Sequence, residues 1–447
     1  MKRLMEASMS RLAGFAFALF LFCGVAAPAE SAETYDLARA VERALEANFT
    51  IEAAQAGALA AEDGVKAARG AFGPALGTSY GWARSQHGKD LTGRVIDNEL
   101  FTWSVWLRQN VFAGFATLNS YHKALLQEDN ARANLDRARL ALIATVQENF
   151  FLLLQAGENV RSARDSHERL ASQLKTTKAF YDVGMKPRLD VLQAEVDVAT
   201  AENILLQATN DYETRRARLN TLLVIDAGED VTYTGELDHI PFPLGLEECL
   251  AMAYARRPDL RMAGKAVEIA GKDTGLAASG FFPQIGAQGT WSTQGDSWDA
   301  SGSTARPRNY SSWSVGVTGE WEIWSWGTTY YGTRQAEQNE NRLKAEESNL
   351  RQEIIFEIQS RLLKLDEAEK RIAVVRKGLE QAREAYRMAG ARYQSQVGIF
   401  LDVLDAQAKL TAAEVAMTGA QADYMIALSN LYSAIGVENP GLAEYRP

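Results

Sequence analysis

Cysteine is nearly absent from this sequence, with two in 447 residues, which excludes a disulfide-built scaffold. Histidine is almost as scarce: the four, at 87, 122, 167 and 239, are too scattered for a metal-ligand cluster, so no metal or cofactor is expected. Apolar runs of membrane-crossing length are missing except for one near the N-terminus, which excludes a polytopic helical membrane protein. Basic residues are outnumbered 47 to 57 by acidic ones, for a net charge of −10. Such a balance offers no broad basic surface for a phosphate backbone, and nucleic acid is not an expected partner. Proline is scarce in the most informative way: only ten occur, and none lies in 75–186, 188–240 or 308–439. Those stretches are free to run as uninterrupted helix or strand.

The start of the chain reads as a targeting segment. Lys2, Arg3 and Arg11 form a positive region, 13–27 an apolar one, and Ala27-Pro28-Ala29 a small-residue cleavage site, so residues 1–29 are expected to be a secretory signal peptide. Phe20 and Phe22 stand where a lipoprotein signal would place an aliphatic and a small residue, which argues against lipidation of Cys23. Cys249, on the amphipathic stretch 246–257, reads as a small buried apolar residue.

The rest of the chain is one pattern written twice. Residues 37–82 match 246–291 without a gap at a shift of 209, with Phe72/Phe281, Pro74/Pro283, Gly77/Gly286 and Trp82/Trp291 among the landmarks. WSV at 103–105 recurs at 313–315, and 180–195 matches 392–407 at a shift of 212. A period of half the chain indicates a duplicated domain-sized unit, not a short-repeat solenoid. The expected plan is repeat 1 over 30–227, a strand-containing connector at 228–245, repeat 2 over 246–437 and a tail at 438–447.

Each repeat reads as helix, hairpin, long helix, helix. Residues 35–70 and 246–280 are Ala-rich with helical spacing and stop at GAFGP (70–74) and GFFP (280–283). The period then changes to two, predicting strands at about 75–86, 100–113, 284–295 and 311–324. Tyr80, Trp82, Trp103, Trp291 and Trp313 fall among the large apolar positions, opposite small or polar residues. No partner sheet is available for that apolar side, and four strands cannot close a cylinder. Aromatic-rich segments of about ten residues suit a transmembrane β-barrel wall, whose closure must then come from other chains. A soluble sheet is the alternative reading.

From Leu365 a seam runs through Ala368, Ile372, Val375, Leu379, Ala382, Tyr386 and Ala389 to Tyr393 in alternating steps of three and four, a coiled-coil repeat. It reappears in the first repeat from Leu153 to Tyr181, with His167 as a seam residue of structural character. The predicted long helices hold some 65–70 residues, roughly 100 Å each. The shorter helices of each repeat, stacked end to end, match that length and would make a long thin helical wall instead of a globular core.

The signal peptide, the duplicated plan, GAFGPAL and GFFPQIG before the hairpins, and LDVLQA (189–194) and LDVLDA (401–406) after the long helices together resemble the TolC family of outer-membrane efflux proteins. The resemblance covers essentially the whole chain after the signal peptide. It implies an α+β membrane protein in which three protomers give four strands each to a twelve-stranded outer-membrane barrel, continued by an α-helical coiled-coil barrel through the periplasm. The implied role is the exit duct of a tripartite efflux or type I secretion machine. The implied partners are two further copies of the chain, outer-membrane lipid, a periplasmic adaptor and an inner-membrane pump of RND or ABC type. A periplasmic coiled-coil adaptor or scaffold without its own pore is the alternative. The sequence departs from the family at EIWSWG (322–327) and NVFAGF (110–115), where the long helices begin. It departs again at Ser395-Gln396, which lack the Val183-Gly184 pair, and at Gly398, where some relatives have a gate arginine.

Asp402 and Asp405 are three apart at the start of a helix and share a face, and Asp190 matches Asp402. Threefold symmetry would turn each into a carboxylate ring, and in the resembled family this segment forms the constricted periplasmic entrance. Such rings favour cations and would make closure sensitive to pH and divalent ions. The competing reading is that all three are first-turn acids stabilising helix N-termini. Tyr181 and Tyr393, at the seam ends, are candidates for hydrogen bonds that hold the entrance shut, or are ordinary seam residues. GTSYG (77–81) has the form of a nucleophile elbow, yet it lies in an alternating strand whose repeat partner puts Gln288 where Ser79 stands, so no enzyme is expected.

Overall fold

In the computed structural model the described residues are 34–89, 95–300 and 310–442, with side chains described outside 87–98. The expected signal peptide, the tips of both hairpin loops (90–94 and 301–309) and the last five residues lie outside them. The first half of the chain is β1 (Thr34–Tyr35), α1 (Leu37–Ala47), α2 (Phe49–Gly70), β2 (Ala75–Lys89), β3 (Val95–Ala113), α3 (Ala116–Asp182) and α4 (Arg188–Leu222). The second is β4 (Thr232–Tyr233), α5 (Leu246–Arg256), α6 (Pro258–Ala278), β5 (Gln284–Gly295), β6 (Tyr310–Glu320), α7 (Thr328–Gln394) and α8 (Phe400–Ala434). Both α3 and α7 hold 67 residues, about 100 Å at 1.5 Å per residue, and 35-residue α4 and α8 run back along them. Helix α3 also packs against α2, α6 and α8, and α7 against α6.

The first helix of each repeat, expected unbroken over 35–70 and 246–280, is two helices. Asn48 breaks one: its backbone is extended, its side-chain oxygen accepts from the Thr50 N–H at 2.9 Å to cap α2, and its Nδ2 donates to the Leu222 carbonyl at the end of α4 at 2.9 Å. Arg257 breaks the other, because it precedes Pro258 and is driven out of helical backbone. Its Nη1 donates to the Ala434 carbonyl at the end of α8, also at 2.9 Å. Repeat-equivalent residues thus reach repeat-equivalent carbonyls, so the duplication holds at the level of single hydrogen bonds.

A core at mid-length joins α1, α5, the connector and the C-terminal segment to the long helices. Phe150, Phe151, Leu219, Leu223, Tyr424, Leu428 and Ile435 are essentially inaccessible there, as are Ala44, Ala253 and Cys249. The parallel pairing of β1 with β4 closes it on one side. Gln147, 1% exposed, donates to the Asn439 and Pro440 carbonyls and accepts from Ser429, tying the C-terminal segment down. The segment of α3 that feeds this core is a second stretch apolar enough to cross a membrane, beyond the N-terminal one read from the sequence; half of it is buried inside the chain. The seam read along α7 is its buried stripe: Leu365, Ala368, Ile372, Leu379 and Tyr393 are all covered.

The four long strands form one antiparallel sheet in the order β2-β3-β5-β6. Pairing places Tyr80 opposite Trp103 and Trp291 opposite Trp313. It also corrects the WSV match. Arg108 faces Ala75 as Glu320 faces Gln284, so the structural equivalent of Trp313 is Phe101 and the sequence match slips by two positions while keeping the face. Strand β6 stops at Glu320, short of the expected 324, whereas β3 runs on to Ala113.

Candidate functional site

Alternation along the strands sorts the sheet into two faces. Tyr80, Trp82, Phe101, Trp103, Val105, Trp291, Trp313, Val315 and Val317 share one, by direct cross-strand pairing and the two-residue period. All five aromatics singled out from the sequence are therefore on the same side, and all are substantially exposed in the single chain. Trp103 and Trp291 meet edge to face at 5.6 Å, and the Trp103 indole N–H donates to Thr78 at 2.9 Å. The Tyr80 hydroxyl donates to the Trp298 carbonyl, so the start of the β5–β6 loop folds over that face at its far end. The opposite face carries Gly77, Ser79, Gly81, Ser104, Gln288, Thr290, Ser292, Ser312 and Ser314. Trp106 breaks its polar character: it lies flat over Gly77, where any Cβ would come within 2.2 Å of its ring, and the Arg108 guanidinium stacks 4.5 Å above it. Sequence reading left this pair out; the cue was Gly77 directly opposite a large residue.

At the other end of the molecule, two helical hairpins turn over. Gly184 has φ +77° and ends α3 by letting the Met185 N–H reach the Phe180 carbonyl at 2.8 Å. Gln396, its equivalent, adopts the same left-handed backbone at φ +62°, and the Val397 N–H reaches the Arg392 carbonyl at 2.9 Å. The second turn, read from the sequence as lacking this feature, therefore has it, built on a non-glycine residue. Gly398 is packed against the end of α7: a Cβ there would lie 3.2 Å from both Arg392 Cβ and Tyr393 N, so a larger side chain fits only if the turn shifts.

The candidate tyrosines part company here. Tyr393 is fully buried between Phe180 and Phe400, shares a 3.3 Å hydrogen bond with Thr177 across α3 and α7, and has the Lys186 ammonium 4.6 Å above its ring. Burial pushes its phenol pKa up, the Thr177 bond opposes this, and the Asp190 charge adds to it. Tyr181 is 41% exposed at the end of α3 and is not brought to Tyr393. Asp190 and Asp402 occupy the third positions of α4 and α8, where a carboxylate meets the positive end of the helix dipole. Asp402 and Asp405 lie on the exposed side of α8 while Val403, Ala406 and Gln407 face inward. Asp405 is paired with Lys409 at 2.6 Å.

Between tip and mid-core the packing turns polar, which the seam pattern did not reveal. Gln407 of α8 donates to Ser166 of α3 at 3.3 Å and to Thr411 at 3.1 Å, and Arg169 pairs with Glu414 at 3.1 Å. On α4, Asp197 has an inaccessible carboxylate oxygen without a hydrogen bond, and burial pushes its pKa up.

This geometry has known counterparts. The family model described as outer membrane efflux protein matches residues 40–223 and 249–437, the two repeats. The outer membrane efflux protein BepC of Brucella suis is 25% identical over 440 residues, covering 96% of this chain and 92% of that protein. Among solved structures, the outer-membrane channel OprN superposes with a TM-score of 0.78 at 22% identity, over 90% of each chain. The Campylobacter jejuni CmeC outer membrane channel does so at 0.79 and 17%, covering 92% of this chain and 87% of that one. The chain belongs to the TolC-type outer membrane efflux protein family, as an α+β export channel of the outer membrane with its long helices in the periplasm.

Proposed function

We propose that three copies of this chain, after removal of residues 1–29, assemble into one conduit: a twelve-stranded barrel in the outer membrane above a tube of long helices. The observation that carries this reading is the open sheet. Among the described residues, strands β2 and β6 each have one partner, so both edges present unpaired backbone groups, and lipid tolerates no such edge. Three four-stranded pieces joined β6 to β2 leave none. The aromatic face then meets lipid and the Ser/Thr/Gly face lines the channel. The helices support association between copies, since α4 exposes Leu189, Val196 and Leu206 and α7 exposes Phe356, Leu363 and Val374, apolar side chains left for a neighbouring copy to cover. The assembly works as a passive, non-enzymatic duct for cargo delivered by an inner-membrane pump through a periplasmic adaptor. Its narrow end lies at the turns near Asp190, Asp402 and Asp405. The test is the mass of the detergent-solubilised protein together with its conductance in planar bilayers. A trimer with discrete single-channel currents is the expected result; a water-soluble monomer without currents would refute it and leave the scaffold reading.

A further inference from the structure

The two junctions between sheet and long helix have the same backbone and opposite side chains. Both take two successive left-handed residues, Gly114 and Phe115 (φ +58° and +68°) before α3, and Trp326 and Gly327 (φ +51° and +84°) before α7. Glycine leads in the first pair and comes second in the other. The reason for Gly114 is visible: it is buried, and a Cβ there would meet the Ser279 carbonyl oxygen at 2.3 Å and Phe282 Cβ at 3.1 Å. The first junction is thus sealed against the segment that leads into β5, and Phe115 packs edge to face on Phe282 at 5.4 Å. At the second junction Trp326 occupies the equivalent of Gly114 and is 88% exposed, its one ring contact among the described residues being Trp324, 5.9 Å away. A tryptophan in left-handed backbone, nearly all of it in solvent, is doubly unfavourable unless something covers it.

The sheet order says what does. Strand β3 borders β5, so the first junction faces the β5 lead-in; strand β6 is an edge, and in a closed barrel it borders β2 of the neighbouring copy. The second junction then faces the β2 lead-in of that copy. Equivalence at this level of the molecule is tight. Gln109 Nε2 donates to the Phe72 carbonyl at 3.0 Å, and its repeat equivalent Trp321 donates through Nε1 to the carbonyl of Phe281, the repeat equivalent of Phe72, at 3.1 Å. By that equivalence the counterparts of Ser279 and Phe282 are Gly70 and Gly73. A Cβ on Gly70 would meet nothing within 4 Å, and one on Gly73 would meet only the Gly70 carbonyl oxygen, at 3.4 Å. Inside the chain a glycine sits under a serine and a phenylalanine; at the edge a tryptophan stands ready and two glycines leave open space.

Resting on the trimer reading above, we propose that Trp326 of each copy packs over Gly70 and Gly73 of the next, and that this knob in its hole is the seal between subunits at the base of the barrel. An unaltered copy of the internal junction would put the Trp326 Cβ 2.3 Å from the Gly70 carbonyl oxygen. Ordinary contact is about 3.5 Å, so the junction between copies stands wider than the internal one by about 1 Å or more, and the indole fills the gap. The ring of six junctions therefore alternates, narrow within chains and wide between them.

The test places the photocrosslinker p-benzoylphenylalanine at position 326 of the full-length protein in outer membranes. Irradiation is expected to give covalent dimers and trimers whose linkage, by mass spectrometry, falls within residues 69–74 of a second chain. A trimer of normal mass that links only to lipid or within its own chain would overturn the proposal while leaving the trimer intact. A monomer by mass would overturn the trimer reading and the proposal with it. Trp326→Gly supplies a second readout, because glycine adopts left-handed backbone without strain and the subunit fold is retained. Its trimers are expected to dissociate at a lower temperature in SDS than those of the unaltered protein, and an unchanged temperature would also overturn the proposal.

Discussion

Arg257 offers the sharpest test of how the helix breaks are held. Its side chain is 12% exposed, and its guanidinium reaches Asp259 at 2.6 Å and Glu357 at 2.7 Å as well as the Ala434 carbonyl. Burial alone would raise the pKa of either carboxylate; the hydrogen bonds and charge of Arg257, joined at Glu357 by Arg361, outweigh it and hold both below the usual range. Arg257→Met keeps much of the apolar stem and removes the charge. Glu357 retains Arg361, so Asp259 is the group left stranded, and the cost sits at the low end of the range for breaking a buried pair, about 3 kcal/mol. For residues 30–447 unfolding with about 2.1 cal/mol/K each, that is a fall in Tm of about 3 °C at neutral pH. The pH dependence fixes the mechanism. A carboxylate held below its unfolded pKa stabilises the fold above about pH 4 and loses that contribution as pH falls through its folded value. In the variant Asp259 keeps the Leu260 N–H bond but loses the guanidinium, so burial is less opposed, its folded value rises, and less is lost on protonation. The gap between the two proteins is therefore widest near pH 7 and narrows toward pH 4.5. Circular dichroism at 222 nm at one fixed scan rate measures it. An absent gap, or one of equal size at both pH values, would refute this account of the clamp.

Other perturbations probe the two ends. Tyr393→Phe removes only the Thr177 hydrogen bond and is expected to cost about 1 kcal/mol, whereas Tyr393→Ala empties the tip cluster at about 3–5 kcal/mol, read as faster proteolysis at the helical turns. Gly77→Val drives a side chain into the Trp106 ring and is expected to lower the yield of heat-modifiable protein in outer membranes, while Gly81→Val, where a Cβ meets nothing, is expected to leave it unchanged. Trp313→Arg on the aromatic face is expected to cost about 2–4 kcal/mol if that face meets lipid at mid-membrane, and to impair insertion. Asp402→Ala with Asp405→Ala is expected to reduce cation selectivity in planar bilayers. Asp402→Ala alone should account for most of the change, because Asp405 is already paired with Lys409; unchanged selectivity would remove both from the narrow end.

The parts of the fold that were legible in the sequence are those written as period and punctuation. Proline-free stretches and a three-four seam gave two helices of the observed length, and alternation gave four strands with Trp103 and Trp291 on one face. What escaped has a physical reason in each case. The breaks at Asn48 and Arg257 carry short local cues, a capping Asn and the Pro258 that follows Arg257, which the helical spacing on either side masks; the carbonyls that hold them, at the far ends of α4 and α8, are distant in the chain. The polar layer around Ser166, Gln407 and Glu414 exists because α3 and α8 cross there, which only the packing decides. The WSV repeat misled because a two-residue slip in a strand preserves the face, so the pattern of large and small residues survives it and only the hydrogen-bond register exposes it.

Where the two repeats differ, the differences track what each must touch. Helix α8 buries fifteen residues and α4 five, because α8 packs against both α7 and α3 while α4 packs mainly against α3. An assembly with six equal wall segments would need the outer side of α4 to find in another copy what α8 finds in its own. The chain therefore carries its own template for the contact between copies: each interaction across the boundary between repeats is a sketch of one across the boundary between chains. Departures from that template mark where the second kind of boundary needs different chemistry. At the mid-core the departure, a neutral Asn48 against a charged Arg257, lies within each repeat, and Arg257 is held by carboxylates of its own chain. At the base of the sheet it is Gly114 against Trp326, with no such compensation among the described residues of the chain. Of the two, only the second leaves a large side chain almost bare in the single chain, which is why it, and not the first, points to the boundary between chains.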